Sequence, residues 1–145
     1  MKGMRILLIL TGGLLLATPG LAGAYTASNG AVTDQRTGLV WQQQDDGQKR
    51  DWGEAIAYCE GLSLANQSDW RLPNIKELES ITDDGRVMMA IDPIFTGTKY
   101  SEYWSSTTYA YNSNNAWAVY AGSGEVNSHN YKSFYQYVRC VRDGQ

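Results

Sequence analysis

Residues 69–81, "DWRLPNIKELESI", decide the fold, because they lead from an irregular segment into a helix. Asn74 can cap that helix, and Glu77 stands three positions later, which is the spacing of a capping box. Pro73 cannot continue any helix that comes before it. The spacing therefore predicts a short helix, whose apolar stripe is Ile75, Leu78 and Ile81 and whose water-facing side is Lys76, Glu77 and Glu79.

An arginine stands just before this helix. Arg71 lies between Trp70 and Leu72, both of which are typical core residues. A guanidinium group placed there is expected to be partly buried and to bind backbone carbonyls or an acid. We predict that Arg71 stabilises the turn into the helix and does not contact a ligand.

An earlier helix follows the same pattern. Asp51 and Glu54 have capping-box spacing and open a predicted helix over residues 52–62, with Cys59 on its buried face. Cys140 is the second of the two cysteines in the sequence. We predict that it pairs with Cys59, because an exported protein folds in an oxidising compartment. The disulfide would close a loop of about 80 residues and stabilise the fold by roughly 4 kcal/mol. Catalytic or metal-binding thiols are disfavoured, since neither a CxxC spacing nor a histidine lies beside either cysteine.

Residues 1–24 have the pattern of a secretory signal peptide. Lys2 and Arg5 precede an apolar run, and small residues at Ala22 and Ala24 suit cleavage before Tyr25. Without the two leader cations, 10 basic and 15 acidic residues remain, a net charge of −5, which argues against a nucleic-acid partner. No later segment is apolar enough to anchor the chain. The predicted product is a single exported domain, residues 25–145.

The remaining segments predict strands and one long loop. Residues 25–37 are predicted to form turns, and residues 38–42 a short strand. Residues 83–101 are predicted to form a loop that packs onto the core through Met88, Met89, Ile91, Ile94 and Phe95. Beyond this loop "YWSST", "AWAVYA", "EVNSH" and "YVRCVR" are typical of strands. The predicted fold is α+β, with two helices packed on a mainly antiparallel sheet of short strands and one disulfide.

The motifs "TGLVWQ", "EAIAYCEGL", "WRLPNIKELESI", "YWSST", "AWAVY" and "YVRCVR" resemble the Lcl C-terminal domain family, named for a Legionella collagen-like adhesin. The resemblance implies a fold related to C-type lectins and to formylglycine-generating enzymes, together with surface display. The namesake binds sulphated glycans, but no collagen-like repeat precedes the domain here. We interpret as structural residues Trp41, Trp70, Arg71, Pro73, Glu77, Trp104, Trp117 and Arg139.

Catalysis and metal binding have weak signals. A hydrolase would need a base beside a nucleophile, and the single histidine, His129, stands among turn-like residues while Ser105 and Ser106 lie in strand-like sequence. Asp45 and Asp83 each begin an Asp-Asp-Gly sequence, which could bind calcium but is also a common turn. We therefore expect no enzymatic activity and no cofactor, with calcium as the open alternative.

The C-terminal part has the composition of a binding surface. Eight of the ten tyrosines lie from residue 100 onward and alternate with asparagines, a mixture that suits contact with sugars or proteins. The predicted ligand-binding residues, placed in loops, are Tyr109, Tyr111, Asn112, Asn114, Asn115, Asn130, Tyr131 and Lys132. For the tryptophans, together with Tyr120 and Tyr137, core packing is the favoured interpretation. A second candidate is a basic set for sulphate or carboxylate groups, namely Lys99, Lys132, Arg139 and Arg142.

These patterns support two hypotheses. The first is an exported, non-enzymatic recognition or adhesion domain that binds a glycan or a cell-surface protein. The second is a structural component of the bacterial envelope with a protein partner and no soluble ligand. A diversified binding surface is a third possibility for the Asn- and Tyr-rich segment.

Overall fold

The computed structural model describes residues 24–145, so the predicted signal peptide lies outside the described residues except for Ala24. The α+β class and the antiparallel strand pairing are confirmed. The strands form two sheets, however, and not the single sheet that the sequence predicts. Among the described residues, no helix has the length and apolar character needed to cross a membrane.

Residues 24–145 contain two helices and seven strands. They are β1 (Tyr25–Ser28), β2 (Ala31–Asp34), β3 (Val40–Gln42), α1 (Trp52–Glu60), α2 (Ile75–Ser80), β4 (Glu102–Thr108), β5 (Asn115–Tyr120), β6 (Glu125–Tyr131) and β7 (Val141–Arg142). The order in the first sheet is β1-β2-β3-β7, and the second sheet is the β4-β5-β6 meander.

The first sheet contains a hairpin that the sequence analysis missed. Residues 25–34 were predicted to be turns, but they form β1 and β2, joined at Asn29 and Gly30. Both connecting residues have positive φ angles, 54° and 79°, as a two-residue hairpin turn requires. The Asn-Gly pair is a strong hairpin signal, and β1 is a polar, exposed edge strand.

The second sheet is irregular in both of its strand pairs. Between Trp104 and Thr108, β4 carries extra residues relative to β5, and β6 is shifted against β5 between Ala116 and Ala118. The bulged part of β4 connects to both helices. Trp52 Nε1 of α1 donates to the Ser105 carbonyl at 2.9 Å, and the Ile75 N–H of α2 donates to the Thr107 hydroxyl at 3.0 Å. Such bulges let a strand reach neighbours outside its own sheet.

The predicted disulfide is confirmed. Cys59 on α1 and Cys140, just before β7, have Cα atoms 5.4 Å apart and are separated by 81 residues. The bond lies in the first of two apolar clusters, with Trp70, Leu72 and Trp104. The second cluster contains Trp41, Leu78, Ile81 and Phe95, and α2 packs against β4 and β5 of the second sheet. Pro73 is also buried.

Both predicted capping boxes are present. Asp51 and Glu54 cap α1, and Asn74 and Glu77 cap α2. Arg71 binds both carboxylate oxygens of Glu77 at 2.7 Å. The prediction that Glu77 faces water is therefore wrong, because its side chain is only 15% exposed and binds a guanidinium group.

The loop over residues 83–101 has one residue that differs from prediction. Ile91 and Phe95 are buried, as expected of a loop packed onto the core. Met88, in contrast, is 73% exposed and lies beside the still more exposed Val87. An apolar residue type alone does not decide burial in a loop, because a turn can direct it outward.

Candidate ligand-binding site

The register of the second sheet brings the predicted binding residues together at one end. Tyr109 follows β4 and donates its backbone N–H to the carbonyl of Asn115 at 2.9 Å. Asn115 is paired with Tyr131 at the end of β6. We call this surface the aromatic end, and it consists of Tyr109, Tyr111, Asn112, Asn114, Tyr131, Phe134 and Tyr135.

The loop over residues 109–114 is closed by its own hydrogen bonds. The backbone N–H of Asn112 donates to Tyr109 at 3.2 Å, and that of Asn115 donates to the Asn112 carbonyl at 3.0 Å. The Asn112 side chain also accepts the N–H of Asn114 at 3.1 Å. These bonds give the loop a defined shape before any ligand arrives.

The loop after β6 is fixed to the segment that precedes α1. Arg50 and Gln136 exchange backbone hydrogen bonds of 2.9 and 3.0 Å, and the N–H of Trp52 donates to the Lys132 carbonyl at 3.0 Å. The Lys132 N–H in turn donates to Asn114 at 2.8 Å. This last bond ties the two loops of the aromatic end to each other.

Aromatic rings occupy the surface of these loops. Tyr111 is 89% exposed and lies 5.6 Å from Tyr109 between ring centroids, while Tyr109 packs edge-to-face on Trp117. Tyr131 packs edge-to-face on Phe134 at 5.3 Å. Trp117 is half-buried and so supports the aromatic end, although it was expected in the core. Tyr120 and Tyr137, with the same core expectation, are half-buried too.

Two contributors were missed from the sequence. Phe134 is 46% exposed and Tyr135 is 58% exposed, and neither was among the predicted ligand-binding residues. A pair of adjacent aromatic residues in a segment without strand or helix periodicity, "KSFYQ", is the signal that could have identified them.

Two asparagines of the predicted set do not lie in loops, and Tyr131, also predicted in a loop, is the last residue of β6. Asn115 belongs to β5 and Asn130 to β6, and they are only 6% and 4% exposed. Asn115 donates to the carbonyl of Ser128, where the pairing of β5 and β6 shifts. Asn130 accepts a hydrogen bond from Gln136 at 2.9 Å. Their side chains support the loops from below and are not a contact surface.

The predicted basic set is not a single surface patch. Arg139 is 2% exposed and donates to the carbonyls of Gln42 and Gln43 at 2.9 and 2.5 Å. Arg142 binds Asp69 at 2.6 Å and is also buried. The sequence around Arg139 and Arg142 does not indicate which side chains point into the interior. The prediction that these arginines form an exposed basic set is therefore wrong.

Arg139 instead belongs to a buried polar cluster with Asp45 and Tyr103. The Arg139 guanidinium lies 3.5 Å from the Asp45 carboxylate, which accepts the hydrogen bond of the Tyr103 hydroxyl. Burial raises the pKa of Tyr103, and the hydrogen bond to Asp45 adds to that rise, so the hydroxyl keeps its proton. Asp45 is thereby used in the interior.

The Asp-Asp-Gly sequences are turns. Asp45 accepts the N–H of Gly47 at 3.1 Å, and Asp83 accepts the N–H of Gly85 at 2.9 Å. This is the side-chain-to-backbone bond by which aspartate stabilises a turn. Over residues 24–145, no cluster of three or more His, Cys, Asp or Glu side chains is suited to a metal ion.

The serines of "YWSST" have structural partners. Ser105 is fully buried, and its hydroxyl donates to the Trp117 carbonyl at 2.6 Å. The backbone N–H of Ser106 donates to Pro73 at 2.8 Å, and Thr107 accepts the first N–H of α2, from Ile75, at 3.0 Å. His129 lies within β6, as the strand-like sequence "EVNSH" predicts, although turn-like residues surround it in the sequence.

A second exposed apolar surface lies at the opposite end of the same sheet. Ala121, directly after β5, accepts the N–H of Ala90 and donates to Ser101. These bonds attach two segments to Ala121, the loop that carries Val87 and Met88 and the segment that carries Tyr100. All three side chains are more than half exposed. Met88 has a φ angle of 80°, which is uncommon for a residue other than glycine.

The fold and the aromatic end define a small disulfide-bonded α+β domain with hydrogen-bonded, aromatic loops at one end of a three-stranded sheet. The sequence model of the Lcl C-terminal domain family matches residues 30–142 of this chain. The chain therefore belongs to that family, as the sequence motifs predicted. A comparison with curated proteins finds no match. Membership suggests an adhesin-associated domain.

Proposed function

We propose that the protein is an exported, non-enzymatic recognition domain that binds a glycan through the aromatic end. The main support is the exposure of Tyr111, Phe134 and Tyr135 on neighbouring loops and of Tyr131 at the end of β6. Burying a large ring is normally favourable, so a cluster of exposed rings suggests a contact surface. Tyrosine faces suit stacking on sugar rings, and the amides of Asn112 and Asn114 suit sugar hydroxyls.

The rigidity of the two loops adds to this support. Each is closed by backbone hydrogen bonds, and the Lys132 N–H joins them. A surface that is ordered before binding loses less conformational freedom when the ligand arrives. Exposed rings on mobile loops would be a weaker argument, because they could collapse onto the protein.

The proposal that the protein is not an enzyme is supported by the structural contacts of its serine and cysteine side chains. Ser105 donates to a carbonyl, and Cys59 and Cys140 are joined to each other. Export is supported by the sequence of residues 1–24, and surface display by the family. A fold related to C-type lectins stays a prediction of the resemblance.

The test is a glycan array with three single variants of the oxidised protein. Tyr111→Ala and Tyr131→Ala should each weaken binding at least about fivefold, because truncating a central aromatic contact commonly costs more than about 1 kcal/mol. Tyr100→Ala is the matched control, since Tyr100 is 59% exposed at the opposite end. Equal loss in all three variants, or no glycan bound by the unmodified protein, would contradict the proposal.

The second candidate is a structural component of the envelope that packs against another protein. The exposed pair Val87 and Met88 favours it, since two apolar residues on a strained turn suit a protein contact. Crosslinking in the native envelope distinguishes the two functions. One recurrent protein partner, lost in Val87→Ser but kept in Tyr111→Ala, would support the structural function.

A further inference from the structure

The charges at the aromatic end limit the chemistry of its ligand. Between residues 103 and 138 the formally charged residues are Glu125 and Lys132, with His129 neutral. Glu125 pairs with Tyr120 at the other end of the sheet. Lys132, which follows Tyr131, is therefore the one charged residue that this stretch places beside the aromatic end.

Lys132 is engaged by the protein itself. Its ammonium group donates to the Thr108 hydroxyl at 2.9 Å and lies 4.0 Å from the centre of the Trp52 ring. A cation over the face of tryptophan is attracted by the ring, and the hydrogen bond adds to that attraction. Lys132 thus connects the end of β4 and the start of α1 through its side chain, while its backbone joins the two loops.

The neighbouring cations also have partners. Arg50, which is held against Gln136, binds both carboxylate oxygens of Asp46 at 3.0 and 2.6 Å and lies 3.8 Å from the ring of Tyr58. Lys49 lies 5.2 Å from the ring of Tyr137. Sulphate and carboxylate groups are typically bound by arginine forks or clustered cations. The cations near the aromatic end would have to give up these contacts first.

We propose that the ligand of the aromatic end is an uncharged carbohydrate, and that Lys132 is a positioning residue that holds the loops. This inference rests on the proposed function and specifies its ligand class. Binding then depends on ring stacking and on neutral hydrogen bonds, which salt screens very little. A sulphated ligand would instead bind through charge and would weaken with added salt.

The test uses an array that carries neutral hexose and N-acetylhexosamine oligosaccharides together with heparin and chondroitin sulphate, read at about 0.05 and 0.5 M NaCl. The expected result is binding to neutral oligosaccharides that changes by less than about twofold between the two salt concentrations. Tyr111→Ala should remove this signal.

Lys132 variants separate positioning from anion binding. Lys132→Gln should weaken the neutral signal, and Lys132→Arg should restore it, because arginine keeps both the charge over Trp52 and a donor toward Thr108. A reduction confined to heparin and chondroitin sulphate would assign Lys132 to anion binding and overturn the inference.

Two further outcomes are distinguishable. Salt-sensitive binding of sulphated glycans that depends on Tyr111 would overturn the uncharged-ligand inference and leave the proposed function intact. No binding to any glycan would overturn the proposed function, and the inference would fail with it.

Discussion

Breaking the contact between Arg71 and Glu77 should show how much this ion pair contributes to the free energy of unfolding. Two hydrogen bonds of 2.7 Å join these side chains, which are 37% and 15% exposed. Hydrogen bonds to charged groups contribute about 1.5 to 3 kcal/mol, and the exposure of Arg71 reduces this through solvent screening. We expect a coupling free energy of about 1 to 2 kcal/mol.

A double-mutant cycle measures that coupling. Arg71→Ala, Glu77→Ala and the double variant are compared by urea unfolding at pH 7. The matched control is the cycle of Lys76 and Glu79 on the same helix, a pair at 3.2 Å in which Lys76 is 85% exposed. The control should give less than about 0.5 kcal/mol. Equal coupling in both cycles would refute the special role of Arg71.

The pH dependence gives an independent reading of the same contact. Burial alone would raise the pKa of Glu77, but hydrogen bonds from Arg71 and from the Asn74 backbone outweigh burial and lower it below its ordinary 4.5. A carboxylate with a lowered pKa contributes stability that is present above its unfolded pKa and is lost as pH falls. The acid loss of stability should therefore be smaller in Arg71→Ala.

Arg71→Lys tests the guanidinium geometry alone. Lysine keeps the charge but cannot form two parallel hydrogen bonds to one carboxylate. Stability should fall by about 1 kcal/mol. Any glycan specificity should stay unchanged, since the Arg71 side chain binds Glu77 and Asp143, neither of which belongs to the aromatic end. A fully stable Arg71→Lys protein that no longer binds its ligand would show that Arg71 acts in recognition.

Two further predictions concern single side chains. Burial raises the pKa of Glu102, and one of its carboxylate oxygens is buried without a partner, so its ionised form disfavours folding above the ordinary pKa of 4.5. Glu102→Gln should raise the unfolding free energy at pH 7 by about 1 kcal/mol or less, and this gain should shrink as pH falls in urea titrations. Gly30→Ala should destabilise by about 1 kcal/mol, because φ is 79° there and the added Cβ would lie 3.3 Å from Leu64. Gly53→Ala, in α1, is its control and should stabilise by about 0.5 to 1 kcal/mol. Similar changes at both glycines would contradict this reasoning.

Local signals account for the elements that were predicted correctly. A capping box is contained within four residues, so Asp51 with Glu54 and Asn74 with Glu77 could be identified without knowledge of the fold. The hairpin at Asn29 and Gly30 had a local signal as well, but the polar edge strand β1 lacked the apolar alternation that indicates a strand.

Residue type and spacing by themselves determined the two helix starts, the cysteine pair and the family. Only the tertiary structure decided which C-terminal side chains face water. Asn115 and Asn130 look like their exposed neighbours in sequence, but strand pairing and bulges turn them inward. The sequence leaves Arg139 with either a structural or an anion-binding role, and carbonyls from residues about a hundred positions earlier bind it in the interior. Such long-range contacts arise when the sheets assemble, and no local pattern records them.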